Sequence, residues 1–201
     1  MPTRLPTIGL MGQPGSGKST VAGVLSRRGW FVLDADAFAR EVFEAPALQD
    51  QMRQRWRLPE GPIDRGAAAG RVFHDPAERR WLESRIHPAV AERRAASREA
   101  ALKREPPPVG FVEDCPLLLE TGLDRTCDTL WLVWADEPTR LERVRSRGWG
   151  PEELRRRDAA QLPLGRKREA ADVVLENHAG PEALLKAVDA ALRCGGFEAV
   201  V

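Results

Sequence analysis

At 201 residues, with 42% hydrophobic and 30% charged side chains, the chain has the composition of an ordinary soluble protein, long enough to bury a core in one α/β domain with insertions. A formal net charge of +1 excludes a global basic field of the kind that holds nucleic acid, so attraction for a polyanion must be local, as in the arginine-rich stretch from 140 to 168. Cys115, Cys127 and Cys194 are too far apart for a zinc set or a disulfide framework, residues 1–6 are too short and polar for a signal peptide, and no apolar run approaches the roughly 20 residues that span a bilayer, so a cytoplasmic protein without membrane attachment is expected.

In chain order, an apolar run at 7–11 predicts a first strand, followed by a glycine-rich loop and a helix with Val21, Val24 and Leu25 on one face, which Gly29 ends. Residues 30–33 predict a second strand, closing a βαβ unit and implying a parallel sheet with a right-handed crossover. From 38 to 105 the chain is rich in Ala, Arg and Glu and poor in β-branched residues, which predicts helix. Pro88 is expected to interrupt or kink the long helical segment that begins near Pro76, and Pro106, Pro107 and Pro108 to stop it. So long a stretch between two strands exceeds one crossover helix, and an inserted helical lobe over about 40–105 is expected to hold a second substrate. Residues 109–112 and 129–134 predict the third and fourth strands, 138–146 and 152–161 two arginine-rich helices, 172–175 a fifth strand, and 181–192 a closing amphipathic helix with a frayed tail after Cys194. The fold class expected is α/β, a five-stranded parallel sheet with helices on both faces.

Residues Gly12, Gln13, Pro14, Gly15, Ser16, Gly17, Lys18 and Ser19 match G-x-x-x-x-G-K-[ST] in full, between a predicted strand and a predicted helix. Such a loop turns its amides inward around phosphates, and the helix starting near Lys18 adds its positive end. Lys18 is expected to reach the β- and γ-phosphates and Ser19 to offer its hydroxyl to Mg²⁺. The motif fixes nucleotide binding and leaves the reaction open. The lack of an NKxD string speaks against a GTPase, and the short length against a motor.

Ligands of open parallel sheets bind beyond the carboxyl ends of strands, where Asp34, Asp36 and Asp114 fall. Asp36 suits either a helix N-cap or a base that takes a proton from an attacking hydroxyl. Asp114 suits the metal side. Arginines compensate phosphoryl charge with planar, bidentate geometry. Most of those in the two later helices are expected to be a solvated face paired with Glu142, Glu152 and Glu153. Arg143 and Arg147, four apart on one face, are the pair expected at the phosphates, ahead of Arg157.

Taken together, several stretches resemble the dephospho-CoA kinase family. They are GQPGSGKST (12–20), LDADAFAR (33–40), Ile63-Asp64-Arg65, Val72-Phe73, Leu82-Glu83, Ile86-His87-Pro88, DCPLLLE (114–120), Gly122, RDAAQ (157–161), Lys167, ADVV (171–174) and Asn177. The likeness runs from about 8 to 192. It implies a P-loop kinase of nucleotide-kinase type that moves the γ-phosphate of ATP to the ribose 3′-hydroxyl of dephospho-CoA, the last step of coenzyme A synthesis. It implies a nucleotide core, a helical acceptor-side lobe and a lid over about 138–168. By the same resemblance Thr20 belongs to the nucleotide loop, Asp36 is the base, and Arg40 lies by the acceptor. His87, Pro116, Leu117, Leu118 and Glu120 line the acceptor pocket, Arg143 and Arg147 reach the phosphates, and Asn177 lies near adenine. ATP, Mg²⁺ and dephospho-CoA are the implied partners, and a monomer or weak homo-oligomer is expected. Three departures from the family pattern stand out: Gln13-Pro14 in the loop, the segment 147–161 read as one residue short with its turn at 148–151, and His178 with Gly180 one step late. Rival readings are another small-molecule or nucleoside monophosphate kinase, which acceptor competition separates, and a non-catalytic nucleotide-binding regulator, which needs no acceptor pocket.

Overall fold

The computed structural model describes residues 4–197. Five strands form one parallel sheet: β1 (Thr7–Gly12), β2 (Trp30–Asp34), β3 (Gly110–Asp114), β4 (Thr129–Trp134) and β5 (Val173–Glu176), in the order β2-β3-β1-β4-β5. Leu10 of β1 stands level with Asp114 of β3 and Trp131 of β4, and Trp131 with Val173 of β5. Every residue of β1 is buried, as expected of a central parallel strand covered on both faces. The helices are α1 (Lys18–Arg27), α2 (Ala35–Glu44), α3 (Pro46–Trp56), α4 (Arg65–His74), α5 (Pro76–Leu102), α6 (Glu137–Arg145), α7 (Pro151–Ala159), α8 (Leu164–Ala170) and α9 (Pro181–Cys194).

The chain divides into two compact units, Asp34–Ala100 and the rest. In the sheet unit, Ile8, Leu10, Val112, Trp131, Val133 and Leu175 pack with Val21 and Leu25 of α1 and with Leu184, Val188 and Leu192 of α9. Those α9 positions follow the i, i+4, i+8 spacing of one helix face, so burying that face fixes the helix on the sheet. On the opposite face a side chain at Gly9 would run into Leu118, Leu130 and Cys127, and α8 packs against β4. The second unit has its own core of Val42, Phe43, Leu48, Met52, Trp56, Ala68 and Leu82. Trp56 donates to Glu78 at 2.7 Å, which Arg55 also binds, and these bonds, Arg55's first, hold the Glu78 carboxyl below the usual carboxylate range.

Four expectations change. Pro88 lies inside a 27-residue α5, so it does not interrupt the helix as the sequence allowed. Asp114 is the last residue of β3 rather than the start of a loop, held there by its pairing across from Leu10. Helix α8 was not expected; its seven residues carry no long apolar periodicity. Of the tail, Phe197 meets the Trp30 ring edge-on at 5.8 Å, while 198–201, like 1–3 at the other end, lie outside the described residues. Among the described residues no helix is long and apolar enough to cross a membrane.

Candidate active site

The phosphate-loop motif begins at the carboxyl end of the central strand. Gly12 closes β1, the Ser16 amide donates to the Gln13 carbonyl at 3.0 Å, and α1 starts at Lys18 with Gly17 as its N-cap. Two of the glycines are required by geometry. Gly15 has φ 79°, and a Cβ there would lie 2.8 Å from the Arg140 carbonyl oxygen. Gly17 has φ 96°, and its Cβ would collide with the Asn177 side-chain amide. Both φ values lie in the left-handed region that glycine tolerates. The loop therefore closes around a path only a bare backbone can follow, and α1 leads away from it with the exposed Ser19 and Thr20 in its first turn.

Lys18 and Asp114 come together. Parallel pairing sets the end of β3 beside β1, and the Lys18 ammonium binds the Asp114 carboxylate directly. Their side chains are 17% and 8% exposed, so the pair is largely shielded from solvent. Sheet order makes β1 the strand flanked by β3 and β4, the place where an open α/β sheet accepts ligands beyond its carboxyl ends.

Arg143 projects from α6 to the rear of the loop. Its guanidinium donates to the carbonyls of Gly15 and Ser16, each at 3.3 Å, and to the Asn177 carbonyl at 2.9 Å. Asn177, 5% exposed just after β5, donates its side-chain amide to the Ser16 carbonyl at 2.8 Å. Both residues thus grip loop carbonyls. Arg147 is exposed in the turn after α6, its guanidinium 5.5 Å from the centre of the Trp149 ring. Arg157 stacks on the same ring at 3.9 Å and bonds Glu153 at 2.7 Å. Glu153 also takes two bonds from Arg156, and these, Arg156's first, hold its carboxyl down at about 2.

Arg140, expected to be solvated, is 4% exposed. It donates to Pro14 of the loop at 3.2 Å and to both oxygens of Asp158 on α7 at 2.9 and 2.8 Å. The spacing Arg140, Arg143, Val144, with Val144 fully buried, is the helical i, i+3, i+4 pattern that marks this inward face. Lys167, which a lone charge on the surface would suit equally well from sequence, is 1% exposed. Burial lowers its pKa, and it donates to the Pro116 carbonyl at 3.2 Å and to Gln161 at 2.5 Å. In the 116–120 turn Leu118 is buried, Leu117 is 39% exposed, and Glu120 accepts the Leu162 amide at 2.6 Å.

In the second unit Asp34, not Asp36, caps α2, accepting the Ala37 amide at 3.0 Å. Asp36 is exposed in the first turn, and Arg40, exposed too, follows one turn later on the same side. His87 is exposed on α5.

A sequence model of the family described as dephospho-CoA kinase matches residues 6–182. The chain belongs to the dephospho-CoA kinase family. Its kinase fold and its place among transferases, at the final step of coenzyme A synthesis, follow from that membership. A dephospho-CoA kinase of Synechococcus is 45% identical over 88% of this chain and 86% of its own length. One of Deinococcus radiodurans is 43% identical over 96% and 93%. A crystal structure from Thermus thermophilus superposes with a TM-score of 0.84 at 33% identity, over 96% of this chain and 98% of that one. A dephospho-CoA kinase structure from Campylobacter jejuni, 20% identical over 93% and 95%, shares the fold with a TM-score of 0.66.

Proposed function

We propose that this chain transfers the γ-phosphoryl group of ATP to the ribose 3′-hydroxyl of dephospho-CoA, releasing ADP and coenzyme A. The observation that carries the reading is the loop of 12–19 at the end of β1, with Lys18 against Asp114 and its backbone gripped from behind by Arg143 and Asn177.

In the proposed reaction the loop amides and the N-terminus of α1 bind the phosphates, and Lys18 leaves Asp114 to follow the β- and γ-oxygens. Asp36 takes the proton of the 3′-hydroxyl as its oxygen attacks phosphorus; the bond from the γ-phosphorus to the bridging oxygen breaks, and that oxygen leaves on ADP. The exposed Asp36 is available for this role because Asp34 already caps α2. Arg40, His87 and the 116–120 turn bind the acceptor. Arg143 holds the loop in shape, and Arg147, released from Trp149, meets the equatorial oxygens. Segment 138–168 serves as the lid that excludes water. Asn177 sets the end of the loop beside adenine.

The Asp114 carboxylate and the Ser19 hydroxyl are hard oxygen donors of the kind Mg²⁺ accepts, and one or two such groups suffice when substrate phosphates supply the rest. They would hold the ion, whose charge offsets that of the phosphates. Function in the cytoplasm, as a monomer or weak homo-oligomer without nucleic acid, completes the proposal.

The test is ADP release from ATP and Mg²⁺ with dephospho-CoA, adenosine, AMP, CMP or shikimate as acceptor. ADP formed with dephospho-CoA alone, with coenzyme A as the product by mass, is the expected result. Turnover on another acceptor overturns the substrate, and silence with all of them overturns the reaction.

A further inference from the structure

Lys167 presents a physical problem that the reaction scheme leaves unused. An ammonium taken out of water loses its hydration unless neighbours replace it. Lys167 is 1% exposed and forms no ion pair among the described residues. Its acceptors there are two neutral oxygens, the Pro116 carbonyl at 3.2 Å and the Gln161 side chain at 2.5 Å, for three donors. Glu120 and Asp158 act on it favourably at longer range, Lys18 unfavourably, and burial is the largest influence lowering its pKa.

The two acceptors belong to different parts of the sheet unit. Pro116 comes two residues after Asp114, the partner of Lys18. Gln161 follows the end of α7, and its neighbour Leu162 donates its amide to Glu120 at 2.6 Å. Two bonds through Lys167 and one through Glu120 therefore tie the 116–120 turn to the chain leaving α7. Asp158, one turn before Leu162 on the same stretch, holds Arg140, which holds Pro14 of the phosphate loop. The acceptor turn, the exit of α7 and the phosphate loop form one connected polar network.

We propose that Lys167 is a positioning residue for phosphoryl transfer, its buried ammonium fixing the 116–120 turn in the place where the acceptor binds. This rests on the acceptor role of that turn. The charge matters because an ammonium holds a carbonyl and a carboxamide at once with charge-assisted bonds, which no neutral side chain of this length does. In this role Lys167 acts through the turn and not on ATP or the transferred group. Its loss should appear in acceptor binding and in alignment, and leave ATP binding alone.

The experiment is steady-state kinetics of Lys167→Met and Gln161→Ala with each substrate varied in turn, beside thermal unfolding. For Lys167→Met, KM for dephospho-CoA rises about tenfold and kcat falls about tenfold, while KM for ATP stays within about twofold. Gln161→Ala shows the same split in smaller measure, and Gln161→Glu, which still accepts from the ammonium, recovers most of that loss. A change in unfolding temperature without the split identifies a purely structural lysine and overturns the proposal. If Lys167→Met does not fold, the Gln161 pair decides: parental constants in Gln161→Ala overturn it. Because the parent is assayed alongside, a parent without dephospho-CoA turnover refutes the reaction itself, whereas an active parent matched by its variants refutes only the role of Lys167.

Discussion

Asp36 and Asp34 show how much a two-residue difference decides at the scale of single side chains. Asp34 ends β2 and Asp36 comes two residues later in an alternating Asp-Ala-Asp, and sequence alone offered Asp36 as either the helix cap or the base. The cap goes to Asp34 because it has extended backbone, φ −85° and ψ 104°, as an N-cap requires, while Asp36 is already helical. Asp36→Asn should lower kcat by about 10²–10⁴, since a carboxamide cannot take the proton, and leave ATP binding intact. Stopped-flow phosphoryl transfer beside ATP titration checks this, and near-parental turnover refutes the base. Lys18, Gly15 and Gly17 were legible without the fold, because the motif is contiguous and its chemistry is set by backbone. The burial and partners of Arg140, Asp158 and Lys167 were not, because a charged side chain on an isolated helix gives no sign of which neighbours it will meet.

Helices α6 and α7 are joined by polar contacts that substitution can separate. Asp158 gives Arg140 both carboxylate oxygens, and the Arg140 side chain is 5% exposed. Asp158→Ala strands a buried guanidinium with only the Pro14 carbonyl, and removing one partner of such a pair costs about 3 kcal/mol or more. Urea unfolding measures the loss, and the double replacement Arg140→Met with Asp158→Leu should recover most of it; equal stability of parent and Asp158→Ala would show the pair to be idle. Glu153 behaves differently because it is a surface group. Its carboxyl sits at about 2 against an ordinary 4.5, chiefly through the hydrogen bond from Arg156 and then that from Arg157. A depressed acid stabilises the fold above its unfolded pKa and loses that contribution as pH falls through the folded value. The stability gap between parent and Glu153→Gln should therefore be complete above about pH 5, narrow from there, and close near pH 2, as read from denaturant unfolding at each pH. A gap that is constant with pH rules this out.

For the molecule as a whole, phosphate binding should be visible as stability. ATP at about 100 times its Kd contributes about 2.7 kcal/mol, or a Tm rise of about 5–10 °C for a chain of this size. Lys18→Ala should abolish most of that rise while unfolding cooperatively on its own, and an undiminished shift would place ATP elsewhere. The sequence by itself determined the parallel sheet, the phosphate loop and the existence of a helical insertion. Each of these is written in local signals: apolar runs of strand length, a contiguous glycine-lysine motif, and 27 residues of α5 rich in helix formers that carry the helix past Pro88 against the expectation of a break. The resemblance of scattered short motifs added the family, which the matching of residues 6–182 established. Only the tertiary structure decided which charges face inward. It turned Arg143 and Asn177 to the rear of the loop, joined Lys18 to Asp114 across 96 residues of chain, and buried Lys167 beside Pro116. The reason is physical: backbone propensity acts over a few residues, whereas the partner of a buried charge is chosen by strand order and packing, which no local stretch encodes.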